Sequence, residues 1–329
     1  MLRSALYPLK FEPIYKHLLW GGSKIFTFKG EPASYGDVGE SWELSGVKDN
    51  VSKVSNGPLK DKLLTDLLEQ YRELFVGEQV YSRYGNEFPL LFKLIDAHDD
   101  LSIQVHPNDE MARKRHQSNG KTEMWYVLDS EQDAYLYAGF NKDTTRHEVK
   151  HCIESDNILS ILNKEEVEPD HAFFVPAGRI HSIGKGVLLA EVQQTSDVTY
   201  RVWDYGRRDS KGNKRQLHVD LALDAMDYRN HNSYRTVYRP KLNSKVKLKE
   251  CSYFTENLIE ADTVMNFDYG ALDSFVVWMC IGGQAVFASQ RHHKDYISQG
   301  ETVLFPACDK PVAFIPSCGN VKILEVYIA

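Results

Sequence analysis

Apolar residues along this chain recur in short runs rich in Val, Ile, Phe, Tyr and Trp, each broken by Gly, Pro, Asn or Asp. Clear examples are "PLLFKLIDA" (89–97), "TEMWYVL" (122–128), "AYLYAGF" (134–140), "HAFFVPAG" (171–178), "GVLLAEVQQ" (186–194) and "TYRVWDYG" (199–206). Many short strands punctuated by turn residues predict an all-β sandwich or barrel. Helical spacing is confined to "KDKLLTDLLEQYRELF" (60–75), to "HVDLALDAMDY" (218–228) and to "NILSILNK" (157–164). The basic segment "YRPKLNSKVKLKE" (238–250), with Pro240 inside it, reads as a linker, and strand-like runs resume after it. An internal echo suggests two similar units. "FFVPAGRIHSI" (173–183) and "VLFPACDKPVAFI" (303–315) share an apolar strand ending in Pro-Ala, a short turn and a second strand.

Composition narrows the setting. At 329 residues the chain exceeds one ordinary domain, so two are expected. A net charge of −7 without a basic stripe argues against a nucleic-acid partner. The absence of an apolar stretch long enough to span a bilayer argues against a membrane protein, and no signal-peptide core precedes Pro8. The five cysteines (152, 251, 280, 308, 318) are scattered without CxxC spacing, as in reduced cytosolic thiols, and a cytoplasmic location is expected.

The polar residues inside the apolar runs carry the chemistry. In "LSIQVHP" (101–107), Gln104 and His106 are two apart, so strand geometry aims an amide and an imidazole the same way. They are either satisfied polar groups in a wet core or half of a metal site. "PAGRIHS" is a Pro-x-Gly-x-x-His turn that delivers His181 to the start of a strand, and Glu123 opens the strand of "TEMWYVL". Any one of these alone reads as an ordinary polar residue. Together, two imidazoles and a carboxylate from three strand edges fit Zn²⁺, with an amide or water completing the shell, and also fit non-haem Fe²⁺. No GxxxxGK phosphate cradle occurs, which speaks against nucleotide use.

These motifs carry a resemblance. Pro-x-Gly-x-x-His is similar to the second cupin motif. "HLLWGG" (17–22), "GESWELS" (39–45), "FPLLFKLIDAHDDLSIQVHP" (88–107), "KTEMWYVL", "VPAGRIHSIGKG" and "EVQQTSDVTYRVWDYGR" follow one another as in the type I mannose-6-phosphate isomerase family, in its short bacterial form. The chain departs from the general cupin pattern, since Gln104 replaces the first His of His-x-His and Glu123 lies 17 residues beyond His106. That departure is itself what this isomerase family shows.

The resemblance implies a fold and a chemistry. The fold would be two cupin-like jelly rolls, a catalytic domain over 1–235 with a small helical insertion near 58–76 and a metal-free second domain over 240–329. One Zn²⁺ per chain would be held by His106, Glu123 and His181, with Gln104 joining them. Arg201 matches the family's active-site arginine, Lys121 and Lys93 match lysines lining the pocket, Arg201 and the lysines would bind the substrate's 6-phosphate, and Glu191 matches a carboxylate proposed for proton transfer. The implied substrate is a small sugar phosphate, interconverted between aldose and ketose through an enediol, a step that needs a base and a group to hold charge on oxygen. Glu191, Lys121 and a metal-bound water all remain open as the base, and the oligomeric state is left open too. Two other classes stay in view: a 2-His-1-carboxylate iron oxygenase and a non-catalytic cupin that binds sugar phosphate. His292 and His293 in "SQRHHKD" are expected to be exposed loop residues.

Overall fold

The computed structural model describes residues 5–32, 36–208, 211–317 and 319–328; Cys318 lies outside them. Strands dominate, as the runs predict, and they form two β-sandwiches built from antiparallel ladders. The first sandwich faces a six-stranded sheet against a five-stranded one. The six-stranded sheet runs in the order Ile14–Lys16, Glu40–Leu44, Leu90–Ala97, Val187–Gln194, Glu123–Ser130, Ala172–Val175. The five-stranded sheet runs Tyr200–Trp203, Ile103–Val105, His181–Ile183, Tyr135–Phe140, Leu162–Glu166. Its interior is a core that includes Ile95, Trp125 and Leu189 from one sheet and Leu136, Ala138 and Ile183 from the other.

The second sandwich pairs a six-stranded and a four-stranded sheet around Trp278, against which Phe267, Phe287, Phe305 and Phe314 pack edge-on. Its larger sheet recruits Leu9–Lys10 from the N-terminal end, with Leu9 opposite Leu304. The echo seen in the sequence has a structural counterpart. In each sandwich the Pro-Ala turn carries the chain from one sheet to the opposite one, joining Ala172–Val175 to His181–Ile183 and Thr302–Phe305 to Pro311–Pro316.

Why the central strands read as continuous apolar runs is now plain. Every residue of Leu90–Ala97 and Val187–Gln194 is buried, because one face looks into the first sandwich and the other into a core between the sandwiches. Leu90, Phe92 and Leu94 meet Val277, Met279 and Leu324 of the second sandwich there. Lys93, Ile95 and Ala97 alternate with them and look inward. Lys93 therefore does not snorkel to the surface.

The helical insertion is longer than the spacing predicts, running as Leu64–Tyr71, Glu73–Val76 and Glu78–Tyr84. Gly77 reads as a terminator, yet the chain restarts because the Asp273 carboxylate accepts hydrogen bonds from the Glu78 and Gln79 amides at 2.9 and 2.8 Å. Gly77 itself has φ +99°, and a Cβ there would sit 2.4 Å from the Asp273 carbonyl oxygen, so no side chain fits. The helix expected over 218–228 is present as Val219–Ala225. The segment 157–164 instead forms one 3₁₀ turn, Ile158–Ile161, and then a strand.

The linker reading fails over its second half, where Ser244–Glu250 is an edge strand paired with Thr255–Ala261. Lysines alternating with Val246 and Leu248 have the period of a strand whose outer face is charged, which blunts an exposed edge. Of the two loop histidines, His292 is exposed, but His293 is half-buried, with Nδ1 2.7 Å from the fully buried Asp309 carboxylate. That contact overturns the expectation for His293.

One buried carboxyl has a consequence for stability. Glu256 shares a strand face with Phe254 and Leu258 in the core between the sandwiches, and burial pushes it up to about 8. Below the ordinary carboxyl value of about 4.3 both folded and unfolded forms are protonated, so there is no cost. As pH rises, the unfolded chain ionises first and stability falls until about pH 8. Glu256→Gln should leave the melting temperature at pH 4.5 nearly unchanged and raise it by several degrees at pH 8. Parallel melting profiles for the two proteins would contradict this.

Candidate active site

The registers of the facing sheets line up the polar residues in rows. Across the five-stranded sheet Arg201 pairs with Gln104, and Gln104 pairs with His181, so three strands present one row to the interior. Across the six-stranded sheet Trp42 pairs with Lys93, Lys93 with Glu191, and Glu191 with Trp125. Glu123 lies two residues before Trp125 on the same face. The Pro-Ala turn ties the rows together: the Gly178 amide donates to the His106 carbonyl at 2.9 Å, and Gly178 has φ +89°, a conformation that glycine adopts freely.

His106, Glu123 and His181 converge, with one ligand atom from each lying within 4.8 Å of the others. All three are essentially inaccessible to solvent. His106 Nδ1 is 2.9 Å from the Val198 carbonyl and His181 Nδ1 is 2.8 Å from the Arg179 carbonyl. Both carbonyls accept, so each ring carries its proton on Nδ1 and turns the Nε2 lone pair inward, the arrangement that orients metal-bound imidazoles. Those Nε2 atoms stand 3.4 and 3.7 Å from the Glu123 oxygens. Neither Glu123 oxygen accepts a hydrogen bond of good geometry from a described residue, although Lys121 Nζ is 2.6 Å from Oε1. Lys121 meets only Oε1, so the buried carboxylate keeps Oε2 lone pairs that a second cation can take. The donor set fits a divalent metal such as Zn²⁺.

Electrostatics agree with that fit. Burial, with the Lys121 charge beside it, lowers His106 to about 3, so this imidazole is neutral. Burial alone would raise Glu123, but Lys121 and His106 overcome it and hold the carboxyl well below the usual range. Gln104 Nε2 lies 3.3 Å from His181 Nε2, at the edge of the cluster.

A cavity of about 200 Å³ opens above the cluster. Lys93, Gln104, Lys121 and Arg201 line it, as do Trp42, Ser102, Asp197 and Arg215. Glu191 does not. It is buried behind Lys93, 3.0 Å from its Nζ, and accepts from Trp125 Nε1 at 2.8 Å. Burial and the Glu123 charge push Glu191 upward, partly offset by Lys93. Burial would lower Lys93, but Glu191 and Glu40 outweigh it and raise the ammonium above its usual value.

Comparisons with known proteins identify the family. The model of the phosphomannose isomerase type I catalytic domain matches residues 9–135. The mannose-6-phosphate isomerase ManA of Bacillus subtilis is 38% identical over 251 residues, covering 75% of this chain and 78% of that protein. The chain belongs to the type I phosphomannose isomerase family. The mannose-6-phosphate isomerase of Streptococcus mutans is 36% identical over 67% of each chain. A crystal structure of the Bacillus subtilis mannose 6-phosphate isomerase superposes with a TM-score of 0.87 at 29% identity, covering 98% of this chain and 100% of that one. A mannose 6-phosphate isomerase solved with zinc bound shares the fold at a TM-score of 0.78 and 16% identity, over 98% of this chain and 100% of that one. The protein is thus an isomerase of the cupin fold. No described helix is long and apolar enough to cross a membrane.

Several residues of this phosphomannose isomerase site escape sequence reasoning. Ser102 sits two before Gln104, so strand alternation reaches it, while Trp42 lies inside the quoted motif "GESWELS" with no named site residue on its strand. Arg215 and Asp197 lie in irregular segments, where no period points to them.

Proposed function

We propose that this protein is a zinc-dependent mannose-6-phosphate isomerase, interconverting mannose 6-phosphate and fructose 6-phosphate by proton transfer between carbons 1 and 2 through an enediol. The observation that carries the reading is a fully buried His106–Glu123–His181 cluster, its carboxylate met by Lys121 at one oxygen only, beneath a cavity lined by four cations and two carboxylates. His106, Glu123 and His181 would hold one Zn²⁺ per chain, with Gln104 beside them. The ion, when bound, polarises substrate oxygens at carbons 1 and 2 without redox side chemistry.

The chain's own groups do the rest. Lys121, an ammonium in the cavity wall beside the ligands, is the group we place at the substrate oxygens, donating to them as the enediol forms. Arg201, in the same row as Gln104 and His181, holds charge that develops on oxygen. Glu191 acts through Lys93, fixing its ammonium within the cavity wall. We further propose a site-bearing domain over 1–235, a second domain over 240–329 and a cytoplasmic location. The name and the zinc of related proteins support the reading.

The test is a coupled assay of fructose 6-phosphate formation. Activity should vanish with chelator and return with zinc. In D₂O, some deuterium should enter carbon 2 of mannose 6-phosphate formed from unlabelled fructose 6-phosphate, as proton transfer through an enediol allows and a hydride shift does not. A zinc-replete protein with no isomerase activity would end the proposal.

A further inference from the structure

Arg215 belongs to no motif of the sequence, yet it enters the same cavity as Arg201, Gln104 and Lys121. It also borders an outer pocket with His17, Leu18, Leu19 and Trp20, which places it at the mouth, away from the buried cluster. Its guanidinium is gripped from one side. Nε donates to Asp204 Oδ2 at 2.7 Å and Nη2 donates to Asp204 Oδ1. Asp204, whose side chain is only 6% exposed, also accepts from Arg207 Nε at 3.1 Å and Nη2 at 2.5 Å.

One carboxylate therefore serves two arginines, and burial first, then the Arg215 charge, weakens the hold of Arg201 on its proton. Against the three guanidiniums stand Asp204 and, in the cavity lining, Asp197, so the arginines outnumber the carboxylates at this end of the cavity. The grip uses Nε and Nη2 of Arg215, so Nη1 is left without a partner among the described residues, on a side chain that is 26% exposed. An arginine locked by its fork keeps its remaining donors aimed, which lowers the entropy lost when an anion arrives. A phosphate monoester is close to a dianion at neutral pH, its second pKa being about 6, and matches both the charge and the donors.

We propose that Arg215, positioned by Asp204, binds the phosphate of the substrate and so selects sugar phosphates over neutral sugars. The inference rests on the isomerase reading for the identity of the sugar, but phosphate binding can be measured apart from turnover. The zinc-loaded enzyme is tested as wild type, Arg215→Gln, Arg215→Lys and Asp204→Asn, with inorganic phosphate as the probe. Steady-state kinetics give KM, kcat and the inhibition constant for phosphate, and calorimetry gives its Kd directly.

Arg215→Gln should raise KM for mannose 6-phosphate and weaken phosphate binding together, each roughly 10- to 100-fold, the effect of losing a charge-assisted hydrogen bond. The kcat, the zinc content and the melting temperature should stay near wild type. Arg215→Lys should fall between, since a point charge remains without the fork. Asp204→Asn should raise KM less, and adding it to Arg215→Gln should have little further effect on phosphate affinity, because it acts through the arginine. Unchanged phosphate affinity in Arg215→Gln overturns the proposal, as does a fall in kcat at constant KM. If Arg215→Gln fails to fold, wild-type phosphate affinity in Arg215→Lys overturns it equally. Wild-type enzyme that binds phosphate but does not isomerise would sink the isomerase reading and leave Arg215 standing.

Discussion

His181→Ala and His106→Ala should each lose bound zinc and isomerase activity together, the activity by roughly 10³-fold or more, because the Lewis acid supplies several kcal/mol of charge stabilisation. The cluster offers few alternatives. Its three ligand atoms lie within 4.8 Å of one another and are sealed from solvent, so no other described His, Cys, Asp or Glu completes the set. Removing one imidazole leaves a two-ligand site and a buried void, and added zinc should not restore turnover. Glu123→Gln should behave likewise, since it removes the one negative charge among the three ligands. Gln104→Ala should be milder. Its amide approaches His181 Nε2 at 3.3 Å from the edge of the cluster, and water can take the place of a neutral ligand. Metal content by elemental analysis beside the coupled assay reads both quantities. A His106→Ala protein holding full zinc at full turnover would remove that residue from the site.

Which parts of this were legible in the sequence depends on whether the physics behind them is periodic. Leu90–Ala97 and Val187–Gln194 are visible as apolar runs because both faces are buried, and the polar residues inside them, Lys93 and Glu191, stand out for the same reason. The helix Asp109–His116 is invisible to any apolar period, since only Ala112 is buried and the Asn108 cap, accepting from the Met111 amide, holds its start. Arg146–Glu154 depends likewise on its Thr145 cap. The restart of the helical insertion at Glu78 rests on Asp273, nearly two hundred positions away, and no local pattern can report that. In the site, the residues on strands were within reach of alternation. Glu191 comes from the family resemblance alone, and its place behind Lys93, away from the cavity, depends on the sheet register. Arg215 was missed because a loop brings it in and a single carboxylate aims it.

Arg201→Ala should keep zinc, fold and KM near wild type while kcat falls by roughly 10²-fold, the scale seen when a preorganised donor to a developing oxyanion is removed. The alternative is that Arg201 is structural, held by Asp204 or Glu191. The contacts point away from it. Asp204 is occupied by Arg207 and Arg215, Glu191 by Lys93 and Trp125, and the Arg201 guanidinium reaches no carboxylate among the described residues. It donates only to Ser102 Oγ at 3.3 Å and to the Gln216 carbonyl at 3.0 Å, both neutral acceptors, and it faces the cavity. A cation balanced by neutral acceptors keeps its charge available to the substrate. Its strand pairing places it beside Gln104, which in turn pairs with His181, and therefore near the reacting carbons, whereas Arg215 stands at the mouth. The two arginines should thus separate kinetically, Arg201 in kcat and Arg215 in KM. Arg201→Lys should recover only part of the loss, because an ammonium cannot hold Ser102, Gln216 and the substrate oxygen with one planar fork. Near-normal turnover per folded molecule in a destabilised Arg201→Ala protein would assign the residue to structure instead.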